Sequence, residues 1–196
     1  MSKLFVRFLG PVLVLLLAGC EQQPEWNGRD ISGLMPPLEF ELTGEDGKPI
    51  TEEAFADQVV ALFFGYTHCP DVCPPTLSRL GQAIQQLPED QRDDVQVLFV
   101  SVDPERDTPQ HLKKYTDYFG DQITGATGEI PELRKLAKRY RTTFSHGQPD
   151  EDGNYTVSHG QAVYVFDRAG KVRLMVRDDI SVDELASDLE RLAESS

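Results

Sequence analysis

The stretch VVALFFGYTHCPDVCPP, residues 59–75, joins an uninterrupted apolar run to a loop with two cysteines. A run such as residues 59–64 is typical of a strand that is covered on both faces in a parallel sheet. A second run, residues 95–102, has the same character. Between the two runs, apolar residues recur at helical spacing, namely Leu77, Leu80, Ile84 and Leu87. The order of strand, helix and strand predicts a crossover unit of an α/β fold.

The rest of the chain extends this unit on both sides. Before it, a strand at 38–42 and turn residues at 43–49 predict an N-terminal hairpin, followed by a helical turn at 52–56. After it, we expect a helix at 109–119 capped by Thr108, a helix through Leu133, Leu136, Ala137 and Tyr140, strands at 161–167 and 171–178 joined by a tight turn, and a closing helix through Leu185, Leu189 and Leu192. This order predicts a thioredoxin-like fold, in which helices flank a mixed central sheet.

Composition limits the class of protein. The chain has 196 residues, of which 39% are hydrophobic and 27% charged, so we expect one soluble domain, at residues 38–196. Its formal net charge is −14. Nucleic acid is therefore not an expected partner, because binding to phosphates requires a basic surface.

The first twenty residues have the pattern of an export signal. Lys3 and Arg7 precede an apolar run at 8–17, which ends in the letters LAGC. That ending resembles the lipobox of bacterial lipoproteins, in which cleavage precedes the cysteine and a lipid is attached to its sulfur. We therefore expect a signal peptide at 1–19, a lipid on Cys20, a tether at 20–37 and a location on the periplasmic side of a bacterial membrane. A permanent spanning helix is the alternative, although the run is shorter than the roughly 20 residues that spanning requires.

The two cysteines of the loop allow three interpretations. Because Pro74 and Pro75 fit only the first turn of a helix, Cys73 is predicted at the helix start, where the backbone N–H groups stabilise a thiolate. A structural disulfide with Cys69 would close a very short loop and contribute only about 2 kcal/mol. A redox pair is possible, but thioredoxin-class catalysts use C-x-x-C, whereas three residues intervene here.

The third interpretation is a metal site, because a wider loop lets both sulfurs face one ion. Two thiolates with an imidazole suit copper best, with zinc as a competitor. His159 is the best candidate for the imidazole, since it directly precedes an apolar strand beside the predicted sheet end. His68 is a candidate for a supporting role next to Cys69. His111 and His146 lie in polar segments and are predicted to be surface residues.

Three segments together resemble one family. FFGYTHCPDVCPPTL (63–77), VSVDPERDTP (100–109) and VSHGQAVYVFDRAG (157–170) are similar to the Sco/SenC family of copper chaperones, and the resemblance covers residues 38–193. It implies a thioredoxin-like domain tethered outside the cytoplasmic membrane. It also implies that Cys69, Cys73 and His159 bind a copper ion, which is delivered to the binuclear copper site of cytochrome c oxidase.

The resemblance leaves some questions open. The family commonly has an aspartate before its histidine ligand, where this chain has Ser158. Asp103 and Asp107 either shape the loop beside the site or serve in capping and turns, and the second role is the one that we expect. An alternative function is that of a thiol:disulfide oxidoreductase, in which Cys69 and Cys73 reduce the cysteines of the oxidase subunit. The expected partner is the copper-bearing oxidase subunit, with other periplasmic copper or thiol-redox proteins as further candidates.

Overall fold

The computed structural model describes residues 25–195. Its strands are β1 (Arg29–Asp30), β2 (Glu41–Gly44), β3 (Pro49–Thr51), β4 (Val59–Gly65), β5 (Val95–Ser101), β6 (Ile123–Thr127), β7 (Phe144–His146), β8 (Val157–His159), β9 (Val163–Phe166) and β10 (Val172–Val176). Its α-helices are α1 (Cys73–Gln86), α2 (Pro109–Thr116), α3 (Ile130–Arg139) and α4 (Val182–Glu194). Short 3-10 helices lie at Glu52–Phe55 and Glu89–Asp94.

The strands form one large mixed sheet and one small ribbon. The order in the large sheet is β1-β10-β9-β4-β5-β6-β2-β3, whereas β7 pairs only with β8 among the described residues. The strands β4, β5 and β6 are parallel, and β9 runs antiparallel to β4. All seven residues of β4 are buried, as the uninterrupted apolar run predicted. The mixed sheet and the order of its central strands and helices agree with the predicted fold.

One inner strand of the large sheet, β6, was missed from the sequence. The strand β6 has the sequence ITGAT, which lacks the apolar pattern of a buried strand, and it forms because it pairs with both β5 and β2. The predicted N-terminal hairpin is present as β2 and β3. Through β6 it extends the central sheet, so it is an edge of that sheet and not a separate addition.

The predicted tether differs from the structure in its described part. Residues 25–37 pack on the domain: β1 pairs antiparallel with β10, and Ile31 is buried. The carboxylate of Asp188 in α4 accepts hydrogen bonds from the backbone N–H groups of Asn27 and Gly28 at 3.1 and 2.7 Å. Because a buried carboxylate requires such partners, this contact holds the segment against α4. The folded domain therefore begins before the predicted boundary at Leu38.

The predicted signal peptide at 1–19 and the predicted lipid attachment at Cys20 lie outside the described residues. Within residues 25–195, no helix combines the length and the apolar character needed to cross a membrane.

Candidate metal centre

The candidate site lies where two parallel strands end side by side. Gly65 at the end of β4 pairs in register with Ser101 at the end of β5, and the N–H of Val102 donates to the Gly65 carbonyl at 2.9 Å. Loops that leave the carboxyl ends of neighbouring parallel strands meet at one edge of the sheet, which is the usual ligand position in α/β folds. The cysteine loop and the segment after β5 therefore come together here.

Both cysteines of the loop are free thiols. The helix α1 begins at Cys73, with prolines in its first turn as predicted, and the Cys73 side chain is fully buried. Cys69 is buried to 7% exposure, and its N–H donates to the carbonyl of Tyr66 at 3.2 Å. This bond closes a turn before the helix, and the burial of both cysteines places their sulfurs in the interior of the site.

The ribbon of β7 and β8 places a histidine beside the sulfurs. His159 ends β8, and its Nε2 lies 3.5 Å from the Sγ of Cys73. Its Nδ1 lies 2.9 Å from the carbonyl oxygen of Gly160, so the proton is on Nδ1 and the lone pair is on Nε2. One ligand atom from each of Cys69, Cys73 and His159 lies within 4.8 Å of the others. The structure thus brings together the three residues that the sequence singled out.

Burial sets the charge of these groups. It raises the pKa of the Cys73 thiol, with the nearby Cys69 and Asp107 as smaller causes in the same direction. It also lowers the pKa of His159. The expectation that the helix start favours a thiolate at Cys73 is therefore wrong for the metal-free site, because loss of hydration outweighs the helix dipole. A neutral imidazole and a thiol that must lose its proton suit a soft metal ion, which replaces that proton.

Aromatic rings form the walls around the imidazole. The ring of Tyr66 meets the His159 ring edge to face at a centroid distance of 5.7 Å, and the ring of Phe63 does so at 6.0 Å. Tyr66 is buried, so it packs against the site and is not presented to solvent. These rings restrict the orientation of the imidazole and exclude water from it, a role that the sequence did not reveal.

A glycine supplies the space for one sulfur. A Cβ atom on Gly65 would lie 2.6 Å from the Cys73 Sγ and 2.6 Å from the Phe99 ring. Both distances are well below van der Waals contact, so only glycine fits at this position without displacement of its neighbours. The available signal was a glycine directly after a buried strand, which indicates close approach of another group.

Asp107 ties the cysteine loop to the neighbouring strand. Its fully buried carboxylate accepts from the N–H of Thr67 at 2.8 Å, from the Thr67 hydroxyl at 2.6 Å and from the Ser101 hydroxyl at 2.5 Å. The expected role in capping is wrong, since α2 is capped by the Thr108 hydroxyl instead. Charged acceptors make the stronger hydrogen bonds, so Asp107 fixes the loop two residues before Cys69.

Asp103 anchors the ribbon that carries His159. It accepts from Arg106 Nε at 2.5 Å and from the Tyr155 hydroxyl at 2.6 Å, and it is fully buried. Arg106 also donates to the Tyr155 carbonyl at 3.0 Å, and its guanidinium lies 3.8 Å from the centroid of the Tyr155 ring. These contacts connect the segment after β5 to the residues just before β8. The expected role in capping and turns is met only by the Asp103 backbone carbonyl, which accepts from the N–H groups of Arg106 and Asp107, whereas the Asp103 side chain acts through the site's framework.

The remaining candidates lie apart from the three ligand atoms. Ser158 is exposed and lies opposite Ser145, while its neighbour His159 faces inward, as alternation along a strand requires. Gly160, not residue 158, orients the imidazole. His68 and His111 are exposed, which confirms the prediction for His111. His146 is half-buried and its Nε2 lies 2.9 Å from the Val102 carbonyl, so its prediction as a surface residue is wrong.

Comparison with known proteins gives relatives along most of the chain. The structure titled Bradyrhizobium japonicum ScoI with copper bound is 35% identical, has a TM-score of 0.72 and covers 80% of this chain and 98% of its own. A SCO1/SenC family lipoprotein from Bacillus anthracis is 26% identical, with a TM-score of 0.70 and coverage of 87% and 100%. The mitochondrial SCO1 homolog 1 of Arabidopsis thaliana is 39% identical over 126 residues, which are 64% of this chain and 37% of that protein.

These likenesses confirm the predicted thioredoxin-like fold with its central mixed sheet. The chain spans well under half of the length of the Arabidopsis relative, but nearly all of the two solved domains. A family model described as SCO1/SenC matches residues 36–194, which is most of the chain and includes the cysteine loop, the aspartate segment and the ribbon histidine. The chain therefore belongs to the SCO1/SenC family.

Proposed function

We propose that this protein is a copper carrier that binds one copper ion through Cys69, Cys73 and His159 and delivers it to the binuclear copper site of cytochrome c oxidase. The observation that carries the proposal is the convergence of two thiols and one unprotonated imidazole nitrogen within 4.8 Å at the end of the sheet. Thiolate and imidazole ligands favour copper, whereas harder metal ions bind these ligands weakly.

The surroundings of the three groups support binding and later release of an ion. The two sulfurs come from one loop and the first turn of α1, and they lie within 4.8 Å of each other. The imidazole comes from a different ribbon, and the Gly160 carbonyl sets its tautomer. A carbonyl that accepts from the far ring nitrogen is a common support for a metal-binding histidine, because it fixes the ring and makes the near nitrogen more basic.

The relatives support copper as the cargo and an oxidase as the recipient. The Bradyrhizobium relative was solved with copper bound. Membership of the SCO1/SenC family supports a role in oxidase assembly, with the copper-bearing subunit as the partner. We extend both properties to this chain because the family model includes all three candidate ligands.

The location follows from the amino-terminal pattern. The proposal includes export, removal of residues 1–19, and a lipid on Cys20 that holds the domain on the periplasmic side of the membrane. The Bacillus relative is itself described as a lipoprotein, which supports this part of the proposal. Metabolic labelling with a radioactive fatty acid checks it, and Cys20→Ala should abolish the label.

The alternative of a thiol:disulfide oxidoreductase is less well supported. A nucleophilic cysteine has to be exposed and held as a thiolate. Here Cys73 is fully buried, and burial raises its pKa. A buried, protonated thiol is a poor nucleophile for a partner's disulfide. The same thiol can still bind copper, because the ion takes the place of the thiol proton.

Copper binding by defined variants tests the function. The reduced protein is titrated anaerobically with Cu(I) against a chromophoric chelator, and free thiols are counted in parallel. We expect one tightly held ion in the wild type and at least about a tenfold loss of affinity in His159→Ala, with both thiols still present in the reduced form. Oxidation of the cysteine pair should remove most of the copper, because a disulfide offers no thiolate.

The matched control is Ser145→Ala, which removes an exposed hydroxyl from the same ribbon without touching a ligand. It should keep the wild-type affinity. Copper binding that is unchanged in His159→Ala, or strong binding by the oxidised protein, would refute the proposed ligand set. Transfer of the bound ion to the purified copper-bearing oxidase domain tests delivery, and failure of transfer with normal binding would refute only that part.

A further inference from the structure

A second group of metal-binding side chains lies on the outer side of the cysteine loop. His68, Asp107 and His111 each offer one ligand atom, and these atoms lie within 4.8 Å of one another. The two imidazoles are exposed and stacked, with ring centroids 5.3 Å apart and an angle of 30° between the rings. His68 comes from the loop after β4 and His111 from the first turn of α2, so the fold itself brings them together.

The network around Asp107 prepares His68 for a metal. The Thr67 hydroxyl donates to Asp107 Oδ1 at 2.6 Å, and it lies 3.1 Å from the Nδ1 of His68. Because the hydroxyl donates its only hydrogen to the carboxylate, its oxygen accepts a hydrogen bond from the Nδ1–H group of His68. The Nε2 of His68 then carries a lone pair. A carboxylate that polarises a histidine in this way is a usual support of metal-binding imidazoles.

Charge favours a cation at this place. Asp107 lies 3.6 Å from His68 Nδ1 and is fully buried, so its charge is poorly screened by solvent. The start of α2 acts against a cation there, but the full charge of Asp107 exceeds the half charge of a helix end. The formal net charge of the chain, −14, adds a general attraction for cations.

We propose that His68 and His111 bind a divalent transition-metal ion beside Asp107, at a second site that is separate from the two thiols. Bonds of about 2.0–2.1 Å require the donor atoms to lie closer together than 4.8 Å. Because a ring nitrogen's lone pair lies in the plane of its ring, the two imidazoles must also rotate out of their stack, and their exposure to solvent leaves them free to do so. Imidazole nitrogen without sulfur suits the divalent state of copper, which binds such sites more tightly than the other first-row divalent ions. His68 directly precedes Cys69, so the second site adjoins the thiol site along the cysteine loop.

The test uses the full-length protein with Cys20→Ala, Cys69→Ser and Cys73→Ser, so that no thiol remains to bind or reduce the probe. The probe is Cu(II), and binding is followed by calorimetry and by electron paramagnetic resonance, which detects nitrogen ligands. We expect one ion per chain with a nitrogen-type spectrum. Adding His111→Asn should weaken binding by about tenfold or more. His68→Asn should do the same.

His146 serves as the matched control in the same background. His146→Asn should leave Cu(II) affinity and the spectrum unchanged, because this residue does not belong to the outer group. The proposal is overturned if the cysteine-free protein binds no Cu(II), or if His111→Asn has no larger effect than His146→Asn. Either result would leave the thiol site untouched, so failure here is distinct from failure of the proposed function.

Discussion

The Sγ of Cys73 lies 3.5 Å from the Nε2 of His159, although 86 residues separate them along the chain. Because the Nδ1 proton of His159 is engaged by Gly160, the atom that faces the sulfur is a lone-pair nitrogen. The site therefore holds a thiol beside a neutral base. A metal ion that enters has only to displace protons from sulfur, and the imidazole needs no change of tautomer.

Copper affinity should increase with pH. Burial raises the pKa of the Cys73 thiol, so at neutral pH this group is protonated and has to release its proton to bind the ion. Each released proton increases the apparent affinity about tenfold per pH unit. Competition with a Cu(I) chelator at pH 6, 7 and 8 measures this slope, and a flat profile would show that Cys73 already carries a negative charge.

The variant Gly65→Ala should impair the site and the fold together. The new methyl group would meet the Cys73 sulfur and the Phe99 ring at 2.6 Å, and overpacking of this kind costs about 1–3 kcal/mol. We also expect weaker copper binding, because the sulfur must move. Urea denaturation and Cu(I) competition measure the two effects.

Gly81→Ala is the matched control for this variant. It places a methyl group 2.6 Å from the Phe119 carbonyl oxygen. Gly81 lies on the same helix as Cys73, but it faces the residues that follow α2. It should reduce stability without changing copper affinity. If both variants lose copper equally, the effect of Gly65→Ala arises from general destabilisation and not from the position of the sulfur.

Ser158→Asp should have little effect on copper affinity, although it restores the residue that the family commonly has. Ser158 is exposed, and the Gly160 carbonyl already accepts the Nδ1 proton of His159. Substitutions at such surface positions usually change free energies by no more than about 0.5 kcal/mol, which is roughly twofold in affinity. A tenfold change in a Cu(I) competition would mean that residue 158 does reach the imidazole when copper is bound.

Tyr155→Phe should loosen the ribbon that carries His159. It deletes the 2.6 Å hydrogen bond to Asp103, and a bond to a charged group contributes about 1.5–3 kcal/mol. We expect a lower free energy of unfolding and weaker copper binding, with the thiol count unchanged. Tyr118→Phe is the control, because that ring is 84% exposed. Equal effects of the two variants would argue against the anchoring role of Asp103.

The metal-free protein should lose stability in mild acid through His159. Burial lowers the pKa of this residue in the folded state, so below the ordinary value of 6.5 the unfolded chain binds a proton that the folded protein does not. The contribution is therefore present above pH 6.5 and decreases below it, by at most about 1.4 kcal/mol per pH unit. Denaturation of the wild type and of His159→Gln at pH 7 and 5 measures the difference. A larger acid loss in the variant would contradict the assignment.

The centre of the fold was readable from the sequence because local and tertiary signals agree there. The run at 59–64 is apolar at every position, and the prolines after Cys73 permit a helix start only at that place. Both features are properties of short segments, so they can be recognised without knowing which strands pair with them. The strand β6 carries no such signal, since its sequence ITGAT forms a strand only because two neighbours offer hydrogen bonds.

The site was only partly readable for a similar reason. The two cysteines and His159 were found by spacing and by resemblance to a family. The charge of Cys73 was predicted wrongly, because a helix start is a local feature whereas burial depends on Gly65, Phe99 and the rest of the fold. The hydrogen bonds from Thr67 to Asp107 could not be predicted either, because they form only where two parallel strands end side by side.

The separation of the β7–β8 ribbon from the large sheet has a consequence for unloading. Within residues 25–195 the ribbon strands pair only with each other, whereas both sulfurs belong to the main body. We therefore expect an acceptor to displace the nitrogen first and to take its coordination position while the sulfur pair still holds the ion. Release would then proceed one bond at a time, and a bare ion would not have to escape into water.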